Sequence, residues 1–496
     1  MKLKRFLKIL ILALFLCLAT GTGIFLYNAH HSYNINSGFT PLPLKFNPDD
    51  SSSSYNWSGV DVTVFNGFVK GIQKGEKGSD SLVIRVLSPL PTVDIKAANM
   101  PAKSMSITIE NINPDFYAKS IEKGLNPVRI AMNTLKFAVD LNAGEEKRIE
   151  PAQPDNTENS NYVVLGDSRD GYETFGQIID QVNGLNPVFV IDNGDLVFSG
   201  KPNQYRAFDR MASRFSTTLC TTLGNHDIRG NGRETYTKLY GPAYYSFDFG
   251  NNHFAFLDSS PGWSQKQAIS AEQYAWLERD LKKAQGKRIY VITHIPPEDP
   301  RSGTTPNEIP YYTDQVNQGK GFFEQKLNQY SENESMNHGF QDKKEAERFE
   351  SLMTQYKVNV VYLSHIHSYF DYDKNGARYI ISGGAGAELL TKNSYYHYLI
   401  AKTDTRNSII MVQLPSPANV LLKRYVTTVS LFAEAMYVEN TAAVIFFIIG
   451  LVLLALLLLL LLFIKLNHRF ALLWVLIKDT GKYTAKRFKE LFKEMS

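Results

Sequence analysis

Asn161-Tyr162-Val163-Val164-Leu165-Gly166-Asp167-Ser168-Arg169 is an apolar run that stops abruptly at a glycine, a carboxylate, a hydroxyl and a guanidinium. Tyr162–Leu165 is apolar at every position, as a strand covered on both faces must be. Val188–Ile191 repeats the pattern and runs on to Gly194-Asp195. Ala271–Ala284 carries Tyr274, Leu277 and Leu281 at helical spacing and leads into the strand Arg288–Thr293. A helix over about Lys343–Tyr356 precedes the strand Val358–Leu363. Doubly apolar strands alternating with helices predict a layered α/β domain.

Ligand-type residues stand where these strands end: Asp167-Ser168-Arg169, Gly194-Asp195, Gly224-Asn225-His226-Asp227, Thr293-His294 and Ser364-His365-Ile366-His367. Open α/β sheets bind ligands at the carboxyl ends of their strands. Carboxylate, amide and imidazole together suit Mn, Fe or Zn. Any one of these residues has a plainer reading, such as a turn former or a satisfied core histidine. Five sets in order, all at strand ends, do not.

The series resembles the calcineurin-like metallophosphoesterases, whose motifs run Asp-x-His, Gly-Asp, Gly-Asn-His-Asp/Glu, His and Gly-His-x-His. The resemblance covers about residues 161–415. The strand end Ile381-Ser-Gly-Gly-Ala-Gly386 is similar to the purple-acid-phosphatase-like branch. It implies a four-layer α/β/β/α sandwich over 162–415 holding two divalent transition metals and acting on phosphate esters, mono- or di-. Asp195 would bridge both ions, Asp167 and His367 would hold the first, and Asn225, His294 and His365 the second. A shared hydroxide would attack phosphorus. His226 would stabilise the phosphoryl oxygens and protonate the leaving group, and Asp227 would orient that imidazole or serve the structure alone.

Two positions depart from the family. Ser364 replaces a glycine, with little consequence expected, and Arg169 stands where the family has histidine. Guanidinium offers no lone pair to a metal. Phe198 occupies the position of the tyrosine ligand of purple acid phosphatases, so a purple tyrosinate centre is not expected. Three readings of Arg169 follow: a bidentate clamp on substrate phosphate, a partner for Asp167 that leaves one metal tightly held, or the mark of a site that binds without turnover. The last makes a phosphate-ligand receptor or scaffold the alternative to a hydrolase.

Outward from this domain the pattern changes. Residues 57–150 alternate with period two, as in Val60/Val62/Val64 and Leu135/Phe137/Val139/Leu141, and predict a small antiparallel all-β accessory domain, a sandwich. Residues 151–161 form a linker and the Ser/Pro-rich stretch 28–56 a stalk. The polar stretch Pro296–Gln341, with Arg301, Lys320, Tyr311-Tyr312 and Phe322-Phe323, reads as a loop overhanging the metals. Residues 416–441 connect to the membrane.

Residues 9–27 and 442–464 are uncharged apolar runs of membrane-spanning length. A cleaved signal peptide is the alternative for the first. The net charge of +4 is uneven. Residues 1–8 carry +4, residues 465–496 carry +5, and 9–464 carry −5, with 41 Lys+Arg against 46 Asp+Glu. Basic ends beside apolar runs predict two passes with both termini cytoplasmic and the catalytic domain outside the plasma membrane. The tail reads as an amphipathic helix on the bilayer surface, or as a solvated cytosolic tail. This balance excludes a nucleic-acid-binding surface and leaves phosphate ester and lipid bilayer as partners, with no protein partner indicated. Cys17 and Cys220 cannot pair within the external part, which fits a bacterial protein.

Overall fold

Apolar-on-both-faces strands need cover on both sides, and the chain supplies it by stacking two sheets with helices outside each. The computed structural model describes residues 2–31, 38–75, 80–98, 103–118, 125, 127–154, 156–260, 267–300, 338–389, 395–404, 408–414, 426, 429–430 and 441–494. One sheet runs Thr218–Thr221, Phe189–Asp192, Asn161–Leu165, His397–Lys402, Ile409–Gln413, its first three strands parallel. The other runs Tyr245–Phe249, Asn252–Phe256, Arg288–Ile292, Val360–Leu363, Ala377–Ser382, Tyr369–Lys374, with the middle four parallel.

Between the sheets lies an aromatic-rich core that includes Tyr162, Phe189, Phe254, Phe256, Tyr290 and Tyr362. Tyr162 and Tyr362 join the sheets through their hydroxyls at 2.8 Å, satisfying two polar tips inside that core. Helices Tyr172–Leu185, Pro202–Ala212 and Gly232–Tyr240 pack on the first sheet, and Ala271–Lys283 and Lys343–Gln355 on the second. The result is the four-layer α/β/β/α sandwich expected for this part of the chain.

The accessory part is a sandwich of a six-stranded and a four-stranded sheet. It is not wholly antiparallel, because Ser81–Val86 and Lys103–Glu110 pair in parallel. The intervening strand Thr92–Ala97 lies in the other sheet, so the chain crosses over and returns in the same direction. The stalk expected over 28–56 also differs: Ser52–Trp57 pairs with Val60–Phe65, and Phe39–Pro41 with Gly67–Gln73. A ladder needs backbone groups rather than apolar side chains, so the serine run carried no strand signal. The loop read over Pro296–Gln341 falls outside the described residues from 301 to 337.

The accessory sandwich docks on the edge of the larger one. Asn111 donates to Leu219 O and accepts from Leu219 N, both at 2.9 Å, closing the open edge of Thr218–Thr221. Phe68 and Leu87 join the aromatic core, and Trp276 donates to Pro48 O at 3.0 Å. Near this seam, buried His253 bonds Asp248 and Asp280 at 2.8 and 2.9 Å, Ser246 donates to Asp280, Lys287 pairs with Asp248, and Ser51 donates to Ser246 O.

The second unit comprises two helices, Lys2–His31 and Thr441–Glu494, each with a stretch long and apolar enough to cross a membrane by length and composition. They run antiparallel, with Gly450 beside Leu18 and Gly21 beside Ala443 and Phe446. The tail is not a separate amphipathic helix. The C-terminal helix continues unbroken for 54 residues, or about 80 Å at 1.5 Å per residue. No proline stands between Ile464 and Glu494 to end it.

Two outcomes test the docking. Asn111→Ala should lower unfolding stability by about 1–3 kcal/mol, because it strips partners from a buried strand edge. Burial would lower the His253 pKa, but its two carboxylates raise it to about 9. A raised folded-state pKa gives stability that is full below the ordinary value of 6.5 and is lost as pH rises through 9. Denaturant unfolding at pH 6 and pH 10 should therefore differ by on the order of 3 kcal/mol more in the wild type than in His253→Gln.

Candidate metal centre

All five predicted sets sit at the carboxyl ends of parallel strands, three from one sheet and two from the other, so the site lies on the seam between the sheets. The chain must turn sharply there. Asp167, Arg169, Asp195, His365 and His367 all have positive φ, at 59°, 32°, 55°, 70° and 45°. Left-handed backbone at non-glycine residues is costly and gathers where function requires it. Gly224 is demanded by closeness: a Cβ there would overlap Asp195.

The side chains form two groups that share Asp195. Asp195, His294 and His365 offer atoms within 4.8 Å of one another, and so do Asp167, Asp195 and His367. The proton positions follow from backbone acceptors. His294 Nδ1 lies 2.9 Å from Asn193 O, and a carbonyl can only accept, so Nε2 carries the lone pair. That lone pair faces Asn225 Oδ1 and Asp195 Oδ1, each at 3.3 Å. Three acceptors converge with no donor among them, an arrangement that a cation satisfies.

The second group repeats the logic. His367 Nδ1 donates to Glu388 O at 2.7 Å, which turns Nε2 toward Asp167 Oδ1, 3.5 Å away. Asp167 Oδ2 accepts from Ser364 Oγ and from His365 N, whereas Asp167 Oδ1 and Asp195 Oδ2 are buried without a hydrogen-bond partner. These orphaned oxygens, aimed where the imidazoles point, fit a pair of divalent cations. Burial would raise the Asp167 pKa, but the charge of His367 holds it well below the usual carboxylate range. Burial would lower the His367 pKa, yet Asp167 raises it, so proton and metal compete for Nε2. Burial, with His294 and His338 nearby, pushes His365 well below its ordinary value and keeps it neutral.

The flanking residues differ from expectation. Arg169 is fully buried and pairs with Glu388 rather than with Asp167. Its NH1 also reaches His226 Nε2 at 3.0 Å, and its guanidinium lies 5.3 Å from the Phe198 ring centre. Burial would raise the Glu388 pKa, but Arg169 holds it down at about 2. Asp227 does not orient His226. It accepts from Val197 N at 3.0 Å and Gly224 N at 2.8 Å, bracing two site loops, and burial beside Asp195 pushes its pKa well up. The residue that fixes the His226 ring is Phe198, whose carbonyl takes the Nδ1 proton at 2.6 Å. Burial lowers the His226 pKa, and its Nε2 accepts from Arg229 at 2.9 Å as well as from Arg169.

Sequence reasoning missed Glu388, Arg229 and His338, whose ring lies 5.5 Å from His365. Glu388 had one usable signal, its position two residues beyond the Gly-Gly-Ala-Gly strand end.

Residues 160–369 match the family profile described as calcineurin-like phosphoesterase. A glycerophosphodiester phosphodiesterase of Enterobacter lignolyticus is 29% identical over 130 residues, covering 24% of this chain and 46% of that protein. A purple acid phosphatase of Arabidopsis thaliana is 21% identical over 226 residues, covering 43% of this chain and 40% of that one. The chain thus spans about half or less of the length of these curated relatives. Among solved structures, a purple acid phosphatase from yellow lupin (Lupinus luteus) seeds aligns with a TM-score of 0.40 and 13% identity, over 71% of this chain and 77% of that one.

If the orphaned carboxylates await cations, Mn at ~100-fold above its dissociation constant should stabilise the wild type by about 3 kcal/mol. Asp195→Asn should melt higher than the wild type without metal and gain little from Mn, as read by thermal unfolding with and without chelator.

Proposed function

From a calcineurin-like phosphoesterase domain over residues 160–369, we propose that this chain is a metal-dependent phosphoric ester hydrolase, tethered to the plasma membrane with its catalytic domain outside. The observation that carries the reading is the pair of lone-pair clusters sharing Asp195. Two divalent ions, drawn from Mn, Fe and Zn, supply charge neutralisation at phosphorus and an acidified water when bound.

The chain's own residues do the rest. Asp195 would be shared by the two ions, Asp167 and His367 would hold one of them, and Asn225, His294 and His365 would hold the other. Asn193 O and Glu388 O fix the tautomers of His294 and His367, so each ring presents a lone pair without reorganisation. Asp227 keeps the Gly224 and Val197 loops in register. Arg169 supplies a permanent positive charge facing substrate oxygens, steadied by Glu388. His226 Nε2 serves as an acceptor for guanidinium, which orients those donors toward the phosphoryl group.

The two apolar helices and the charge asymmetry support the tether and its orientation. One observation favours a second reading, a phosphate-ligand receptor with weak turnover: with its Nε2 taken up by two arginines, His226 is not set to protonate a leaving group.

Purified protein should contain at least one tightly bound transition metal per chain and hydrolyse p-nitrophenyl phosphate or bis-p-nitrophenyl phosphate with Mn. Asn225→Ala should lower kcat/KM by about 100-fold, as the loss of a buried group at the reacting centre does. Less than one metal per chain, or unchanged activity in that variant, would sink the metalloenzyme reading. Metal and phosphate binding without turnover would favour the receptor.

A further inference from the structure

Arg229 follows the Gly224-Asn225-His226-Asp227 turn and has no carboxylate partner among the described residues. Its NH1 donates to Phe198 O at 3.3 Å and its NH2 to His226 Nε2 at 2.9 Å, while its buried Nε has no acceptor. Arg169 NH1 reaches the same nitrogen at 3.0 Å, and its Nε is likewise buried and unpartnered. Both guanidiniums sit by one ring, 5.3 and 6.0 Å from the centre of Phe198, which is itself 44% exposed while Arg169 is buried.

An imidazole nitrogen has a single lone pair and cannot serve two donors at full strength. Glu388 pairs with Arg169, whereas no ion pair joins a carboxylate to Arg229 among the described residues. The patch therefore sets two guanidiniums with spare N–H donors beside Asp195, whose Oδ2 is 3.9 Å from His226 Nε2. An anion rich in oxygens would satisfy those donors and relieve the repulsion between the two cations.

We propose that Arg229 and Arg169, grouped around Phe198, clamp a terminal phosphate oxygen and make this site selective for phosphomonoesters over phosphodiesters. The proposal rests on the hydrolase reading above. A phosphomonoester is close to a dianion at neutral pH and has three terminal oxygens, as a phosphorylated side chain does. If cations held at the carboxylate–imidazole centre took two of them, a third charged oxygen would remain for the guanidiniums. In a diester that third position is esterified, so it carries a substituent and no formal charge. A planar guanidinium fork matches the charged oxygen and gains nothing from the esterified one.

The test uses the full chain in detergent with Mn. Steady-state kinetics on p-nitrophenyl phosphate and bis-p-nitrophenyl phosphate are compared among wild type, Arg229→Gln and Arg229→Lys. Calorimetry measures the binding of inorganic phosphate to each. Loss of one charge-assisted contact should lower kcat/KM for the monoester by about tenfold in Arg229→Gln and weaken phosphate binding by a similar factor. The diester should lose several-fold less, and Arg229→Lys, which keeps the charge without the fork, should fall between. An equal loss on both esters, or unchanged phosphate affinity, overturns the clamp. If the wild type hydrolyses neither ester, the hydrolase reading fails separately, and the phosphate affinities of wild type and Arg229→Lys still decide whether the clamp exists.

Discussion

The Asp195 carboxylate sits where two sheets meet, buried, with one oxygen bonded to His226 N and the other to no hydrogen-bond donor. Burying a charged group without partners is expensive, and a fold tolerates it only if something in the working state compensates. Much of the surrounding architecture follows from holding that oxygen in place. Gly224 is bare because a Cβ would collide with Asp195. His294 and His367 are locked by carbonyls so that their lone pairs converge beside it. The strained backbone at Asp167, Asp195, His365 and His367 is the geometric cost of bringing strand ends from both sheets to one point.

Positive charge is arranged with equal care around the negative centre. Arg169 is buried where a family member would have a metal-ligating imidazole, and Glu388 answers it directly. That pairing explains how a guanidinium can replace a ligand without collapsing onto Asp167. It also leaves a permanent cation rather than one more imidazole beside the cluster, with the Phe198 ring as the apolar surface next to which both guanidiniums lie.

The accessory sandwich has a mechanical part in this. It closes the exposed edge of Thr218–Thr221, the strand that leads into Gly224-Asn225-His226-Asp227, through the double hydrogen bond of Asn111 to Leu219. A strand edge paired on its far side resists fraying, and with it the turn at its end that carries Asn225 and His226.

The sequence alone carried the layered α/β architecture, since strands apolar on both faces admit few other arrangements. It also pointed to six candidate ligand positions, Asp167, Asp195, Asn225, His294, His365 and His367, because ligand-type residues at strand ends are written residue by residue, and the fold brings them to one seam. It named Arg169 as the anomaly but not its partner: Glu388 lies 219 positions away, and only folding brings the two together. The roles of Asp227 and Phe198 were equally hidden, because one acts through backbone N–H groups and the other through its own carbonyl, and neither function depends on a recognisable side-chain pattern. The serine-rich strand Ser52–Trp57 and the docking of Asn111 were decided by backbone pairing across distant segments, a long-range constraint that local composition does not encode.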